Sequence, residues 1–259
     1  MPKRAGRLLL APLYRLYTGS LRHQVRQGQV PAHVAVILDG NRRWASEAGL
    51  TDVGAGHRHG ADKIDDLLAW CRELEIGEVT LWALSGENLD RDPAELDALL
   101  DVVIEKLEAL SRQQLEIRIL GRSNGLPPRL LEAITRAQAA TAGKDGLRVN
   151  IALGYSGRDE LVDACRSMIA ALVARGTPVG EMADHVTSEA IAANLYTAGR
   201  PDPDLIIRTS GELRLSGFLP WQSAHSEFYF TDVYWPAFRE LDFLRALRTY
   251  QQRVRRFGK

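Results

Sequence analysis

The 259 residues are 45% hydrophobic and 25% charged, the make-up of a folded globular protein of one large domain or two small ones. Lys plus Arg and Asp plus Glu balance at 33 each, so no overall field favours nucleic acid as a partner. No apolar run approaches the ~20 residues of a membrane span and no signal-peptide core is present, which together point to the cytoplasm.

Residues 1–30 carry Lys3, Arg4, Arg7, Arg15, Arg22 and Arg26 and no acid, interleaved with Leu8, Leu9, Leu10, Leu13, Leu16 and Leu21. This basic amphipathic extension has three open placements: on an anionic membrane surface, packed on a dimer as a helix, or without order. Beyond it, short β-branched runs alternate with helical patterns. Strands are expected at 33–38, 78–84, 115–120, 147–153, 205–208 and 227–230, and helices at about 57–74, 93–110, from Pro127 and Pro128 onward, 158–174 and 242–256. Cys71 and Cys165 each sit in a helix-like apolar pattern, without metal-type spacing, and read as buried thiols. No repeat or linker divides the chain after residue 30. The expectation is a single α/β domain over 31–259, with a mostly parallel six-stranded sheet flanked by helices. In such sheets ligands bind outside the carboxyl ends of the strands, so the residues that follow strands are the informative ones.

Four clusters stand there. Asp39-Gly40-Asn41-Arg42-Arg43-Trp44 follows the first strand. It offers an acid that can hold a hard cation, a glycine that lets backbone approach an anion, and two guanidinium forks matched to phosphate oxygens. Spacing alone fits an ordinary βα turn equally well, and no Gly-rich nucleotide loop is present. Ser85-Gly86-Glu87-Asn88, with Arg91 three residues on, suits an anion, and Asp92 suits the N-cap of the helix opening at Pro93. Arg208, Arg214 and Ser216 bracket the loop after the fifth strand in a spacing that can clamp a diphosphate. Glu227 opens the sixth strand, where an acid beside apolar residues calls for a cation or a donor, and it is a candidate to complete a metal site with Asp39.

Taken together, HVAVILDGNRRWA, LSGENLDR, RTSGELRLSGFLPWQ and SEFYFTDVYWP resemble the cis-prenyltransferases, the undecaprenyl diphosphate synthase family, in the family's order from about Pro31 onward. The resemblance implies a homodimeric αβ enzyme with an elongated hydrophobic tunnel. Such an enzyme joins isopentenyl diphosphate to an allylic diphosphate, geranyl or farnesyl, with Mg2+, and leaves a new Z double bond. By that similarity Asp39 handles magnesium and the leaving diphosphate, while Gly40, Asn41, Arg42 and Arg43 hold the allylic diphosphate beside His57. Arg208, Arg214 and Ser216 bind the diphosphate of isopentenyl diphosphate, Glu227 coordinates the metal, and Ser85 and Asn88 serve proton removal. Trp44 and Arg91 join the substrate-binding set, and Arg256, with Phe257 and Gly258, matches a C-terminal signature that reaches toward a partner subunit.

Departures from the pattern are specific. Arg42 stands where a glycine is common, Thr51-Asp52-Val53 has no match for an expected arginine, and Leu89 and Leu213 replace a tryptophan and a histidine. These features resemble the actinobacterial short-chain subgroup that makes Z,E-farnesyl diphosphate. A C15 product is therefore expected, with a longer-chain synthase as the alternative and a non-catalytic family subunit disfavoured by the retained Asp39, Arg208, Arg214 and Glu227.

Overall fold

The computed structural model describes residues 5–52 and 54–253, with side chains from Tyr14 onward and Asp90 excepted. Six strands form one sheet: β1 (His33–Ile37), β2 (Glu78–Trp82), β3 (Leu115–Leu120), β4 (Leu147–Ala152), β5 (Leu205–Arg208) and β6 (Glu227–Phe230). Their order is β3-β4-β2-β1-β5-β6, and every pairing is parallel. A sheet covered on both faces needs apolar residues at successive positions, which is why β1 and β5 are buried throughout. Alternation still sorts the side chains: Val34 and Val36 enter the larger core, while Ala35 and Ile37 enter a smaller one with Tyr155, Phe218 and Leu219.

Eight helices wrap this sheet among the described residues: α1 (Ala5–Gln27), α2 (Asn41–Glu47), α3 (Ala55–Glu73), α4 (Pro93–Ser111), α5 (Pro128–Thr141), α6 (Gly157–Ala174), α7 (Ser188–Ala192) and α8 (Glu240–Gln252). α4 begins as the sequence implies, with the Asp92 carboxylate accepting from the N–H groups of Ala94 (3.0 Å) and Glu95 (3.4 Å) ahead of a first-turn proline. No helix among the described residues is long and apolar enough to cross a membrane.

Several expectations are corrected. Residues 41–47, given no element of their own by the sequence reading, form α2, and α7 was not foreseen; both are too short to show helical periodicity. Cys71 is buried, and burial pushes its thiol well above the ordinary range, but Cys165 lies on the exposed side of α6. The basic N-terminal segment is helical, and its second half belongs to the main core of its own chain through Leu21 and Val25. Arg22 pairs with Glu240 at 2.5 Å and Gln251 Nε2 donates to the Val25 carbonyl at 2.8 Å, so α8 holds α1 in place. The leucines at 8, 9, 10 and 13 have side chains outside the described set, as do Val53, Arg256, Phe257 and Gly258 altogether.

Candidate active site

The sheet changes winding direction at β1, with β2 on one side and β5 on the other, and the crevice above their carboxyl ends is where ligands enter such folds. Asp39 follows β1 there. Its N–H donates to Thr209 Oγ1 (3.0 Å), Thr209 Oγ1 donates back to the Asp39 carbonyl (2.7 Å), and Trp235 N–H donates to that same carbonyl (3.0 Å). The backbone of the acid is therefore fixed from β5 and from the loop after β6.

Its carboxylate is gripped from both sides. Arg43 Nη2, one turn into α2, donates to Oδ1 at 3.2 Å, and Arg208 Nη2, at the end of β5, donates to Oδ2 at 2.9 Å. Burial raises the Asp39 pKa, but the hydrogen bonds from Arg208 and Ser210 and the two positive charges outweigh it, holding the carboxyl below the usual carboxylate range. Arg208 is buried, 5% exposed, and also donates to Ser216 Oγ (2.8 Å) and to the Arg214 carbonyl. Arg43 further donates to Ser210 Oγ (2.7 Å) and lies 5.6 Å from the centre of the Tyr234 ring.

Around this pair opens a cleft of about 1040 Å³ that gathers most of the residues singled out by sequence: the Asp39–Arg43 stretch, His57, Ser85, Asn88, Arg91, Arg208, Arg214 and Ser216. Gly40 is held at φ +100°, and a Cβ there would meet Tyr234 Cδ1 at 2.6 Å, so this turn admits only glycine without a shift. Across the cleft, Glu95 lies between Arg91 (2.9 Å) and Arg42 (3.5 Å). Asn88 Oδ1 accepts the Ser85 N–H at 3.1 Å, closing a capping box that fixes both polar side chains at the rim.

His57 stands at the inner edge, on the first turn of α3. Burial, reinforced by the Arg91 charge, lowers its pKa from 6.5 to about 4, and its Nε2 has no hydrogen-bond partner, nor has Asn41 Oδ1 beside it. Both residues also line a second space, an apolar recess of about 50 Å³ walled by Ile64, Ala83, Leu99, Val102 and Trp235. This recess runs inward from the cleft, where the tunnel is expected.

Two expected site residues stand elsewhere. Trp44 meets the His59 ring at a tilt, centroids 4.7 Å apart, and does not line the cleft. Glu227 does not approach Asp39 within the chain: it pairs in register with Leu205, at the opposite end of β5 from Arg208, and accepts from Arg253 at 2.5 Å. Arg256 lies outside the described residues. Among the described residues no group of three or more His, Cys, Asp or Glu side chains could hold a metal ion. A single carboxylate is nonetheless the donor set that Mg2+ uses when substrate phosphates supply the other oxygens, and Asp39 between two arginines fits that case.

The residues that sequence reasoning missed are Tyr155, Ser156 and Asp159, which follow β4, and the wall residues of α4. The first group also follows a strand, and the strand-end rule applied to β4 would have found it. The apolar members of the second, Leu99, Val102, Val103 and Leu107, carry no polar signal to find.

The Prenyltransf model of the undecaprenyl diphosphate synthase family matches residues 37–258. The chain is 50% identical over 251 residues, 97% of it and 99% of the relative, to (2Z,6E)-farnesyl diphosphate synthase of Thermobifida fusca. It is 48% identical over 257 residues, 97% of each chain, to an isoprenyl transferase of Thermus thermophilus. Among solved structures it resembles lavandulyl diphosphate synthase from Lavandula x intermedia in complex with dimethylallyl diphosphate, with TM-score 0.81 and 35% identity over 89% of this chain and 99% of that one.

Proposed function

The chain belongs to the undecaprenyl diphosphate synthase family of prenyltransferases, and on that premise we propose that it joins isopentenyl diphosphate to geranyl diphosphate to form C15 Z,E-farnesyl diphosphate. The observation that carries this reading is the pair of guanidinium anchors, Arg43 and Arg208, held on either side of Asp39 above an apolar recess.

Each residue has work that its geometry suits. Arg43, with Asn41 and the Gly40 turn, receives the allylic diphosphate, and Arg42 adds charge at the rim. Arg208, with Arg214 and Ser216, receives the second diphosphate. Anchoring both ends brings the alkene carbon of one substrate beside the allylic carbon of the other, which replaces a bimolecular encounter by an oriented one. The C–O bond of the allylic substrate breaks with its electron pair leaving on diphosphate, the alkene supplies the pair for the new C–C bond, and a proton departs. A magnesium ion carried by the diphosphate and met by Asp39 would neutralise the charge that develops on the leaving group. On this reading the proton goes to the departing diphosphate, directly or by way of Ser85 and Asn88 at the rim. The hydrocarbon tail enters the recess past His57, whose neutral form at pH 7 presents no charge to it.

The name of the Thermobifida relative favours a short product. A homodimer is the expected assembly: β6 is an edge strand whose four residues are all half-buried. The test is incubation with radiolabelled isopentenyl diphosphate, Mg2+ and dimethylallyl, geranyl or farnesyl diphosphate in turn. Incorporation only with geranyl diphosphate, giving a C15 product and abolished by EDTA, is expected; no incorporation with any starter would remove the reading.

A further inference from the structure

The apolar recess has one charged residue in its wall, Lys106. Two helices flank the recess. His57 on α3 and Leu99 on α4 stand where it meets the cleft, since both line both spaces. Seven residues further along each helix come Ile64 and Lys106, about 10 Å deeper at the helical rise. The Lys106 stem thus lines the part of the recess away from the cleft. Its Nζ donates to Asp65 Oδ2 at 2.7 Å, and the side chain is only 13% exposed. Asp65 is fixed in turn by Gln113 Nε2 (3.1 Å), and Gln113 Oε1 accepts from Arg72 (2.9 Å).

We propose that Lys106, tethered by Asp65, is the stop at the inner end of the product recess and sets the length at which chain growth ends. The proposal rests on the prenyl-transfer reading above. A lysine stem offers methylenes to a hydrocarbon tail as any apolar residue does, so a tail of the right length packs against it. A longer tail must push the stem aside. That movement breaks the ion pair with Asp65 or drags an ammonium against hydrocarbon, and either is costly. The stop is therefore stiffer than an apolar side chain of the same size, whose rotamers would yield.

The full chain, incubated with geranyl diphosphate, radiolabelled isopentenyl diphosphate and Mg2+, tests this by the chain length of its products. Lys106→Ala should lengthen the main product by at least one isoprene unit. Lys106→Met keeps the bulk without the tether, and Asp65→Asn loosens the tether without touching the wall; both should give mixed lengths. Lys63→Ala, which removes a neighbouring surface ion pair with Asp66 on the same helix, should leave the length unchanged. A folded Lys106→Ala protein making the unaltered product would overturn the stop, as would lengthening by Lys63→Ala. If Lys106→Ala fails to fold, unchanged products from Asp65→Asn overturn it instead. No incorporation by the unaltered protein defeats the prenyl-transfer reading and the stop with it, whereas incorporation with invariant length defeats the stop alone.

Discussion

Arg208 serves three acceptors with one planar group: Asp39 Oδ2, Ser216 Oγ and the Arg214 carbonyl. Lysine is a single-point donor on a flexible stem and cannot span them. Arg208→Lys should therefore lower kcat/KM for isopentenyl diphosphate about 10- to 100-fold, the equivalent of ~1.5–3 kcal/mol for lost hydrogen bonds to charged groups. Arg43→Ala should act mainly on KM for the allylic substrate. Steady-state kinetics with each substrate varied in turn separates the two anchors, and equal effects on both substrates would contradict the division. His57 gives a second prediction at this scale. Its folded pKa of about 4 lies below the 6.5 of the unfolded chain. Between those values the unfolded state binds more protons, so stability is complete above about pH 6.5 and declines as pH falls through the window. His57→Gln should flatten that decline by up to ~3 kcal/mol, as read from urea denaturation at about pH 4, 5.5 and 7.

At the scale of elements, the turn from β1 into α2 sets where Arg43 points. A Cβ on Gly40 would lie 2.6 Å from Tyr234 Cδ1 and 3.0 Å from Ser210 Cβ, at a φ of +100° that side-chain-bearing residues seldom adopt. Gly40→Ala should lower stability by about 1–3 kcal/mol and raise KM for the allylic substrate, both absent if the turn relaxes freely. This turn also shows how far the sequence could be read. β3, β5 and β6 are legible to the residue because each is a short apolar-rich stretch bounded by polar or turn residues. α2 is hidden because seven residues with two arginines offer no apolar stripe. The polar half of the site is legible because charged groups clustered after strands are unusual. The recess is not, because Leu99, Val102 and Val103 look like any core face of a helix until α3 is laid beside it. Glu227 is a separate case. Strand order places it near Asp39 in the sheet, but register drops it to the level of Leu205, at the far end of the strands.

For the molecule as a whole, the second half of α1 connects the N-terminal segment to the frame that carries the site. Leu21, 1% exposed, and Val25, fully buried, sit in the same core as Phe243, Leu244 and Leu247 of α8 and Leu67 and Leu68 of α3. Apolar contact dominates here over charge. Arg22 is about a third exposed where it meets Glu73 and Glu240, and exposed pairs of this kind contribute little. Leu21→Ala should then cost about 2–5 kcal/mol, the range for emptying a buried leucine site, and Arg22→Ala no more than ~1 kcal/mol. Both follow from denaturant midpoints of the purified protein. None of the described residues lining the cleft belongs to α1, so at a temperature where Leu21→Ala remains folded its KM values and product length should match the unaltered protein. A large kinetic change in a folded Leu21→Ala protein would mean that α1 acts on the site through α3, whose first turn carries His57 and whose Gly60 carbonyl accepts the Trp235 indole N–H at 2.7 Å.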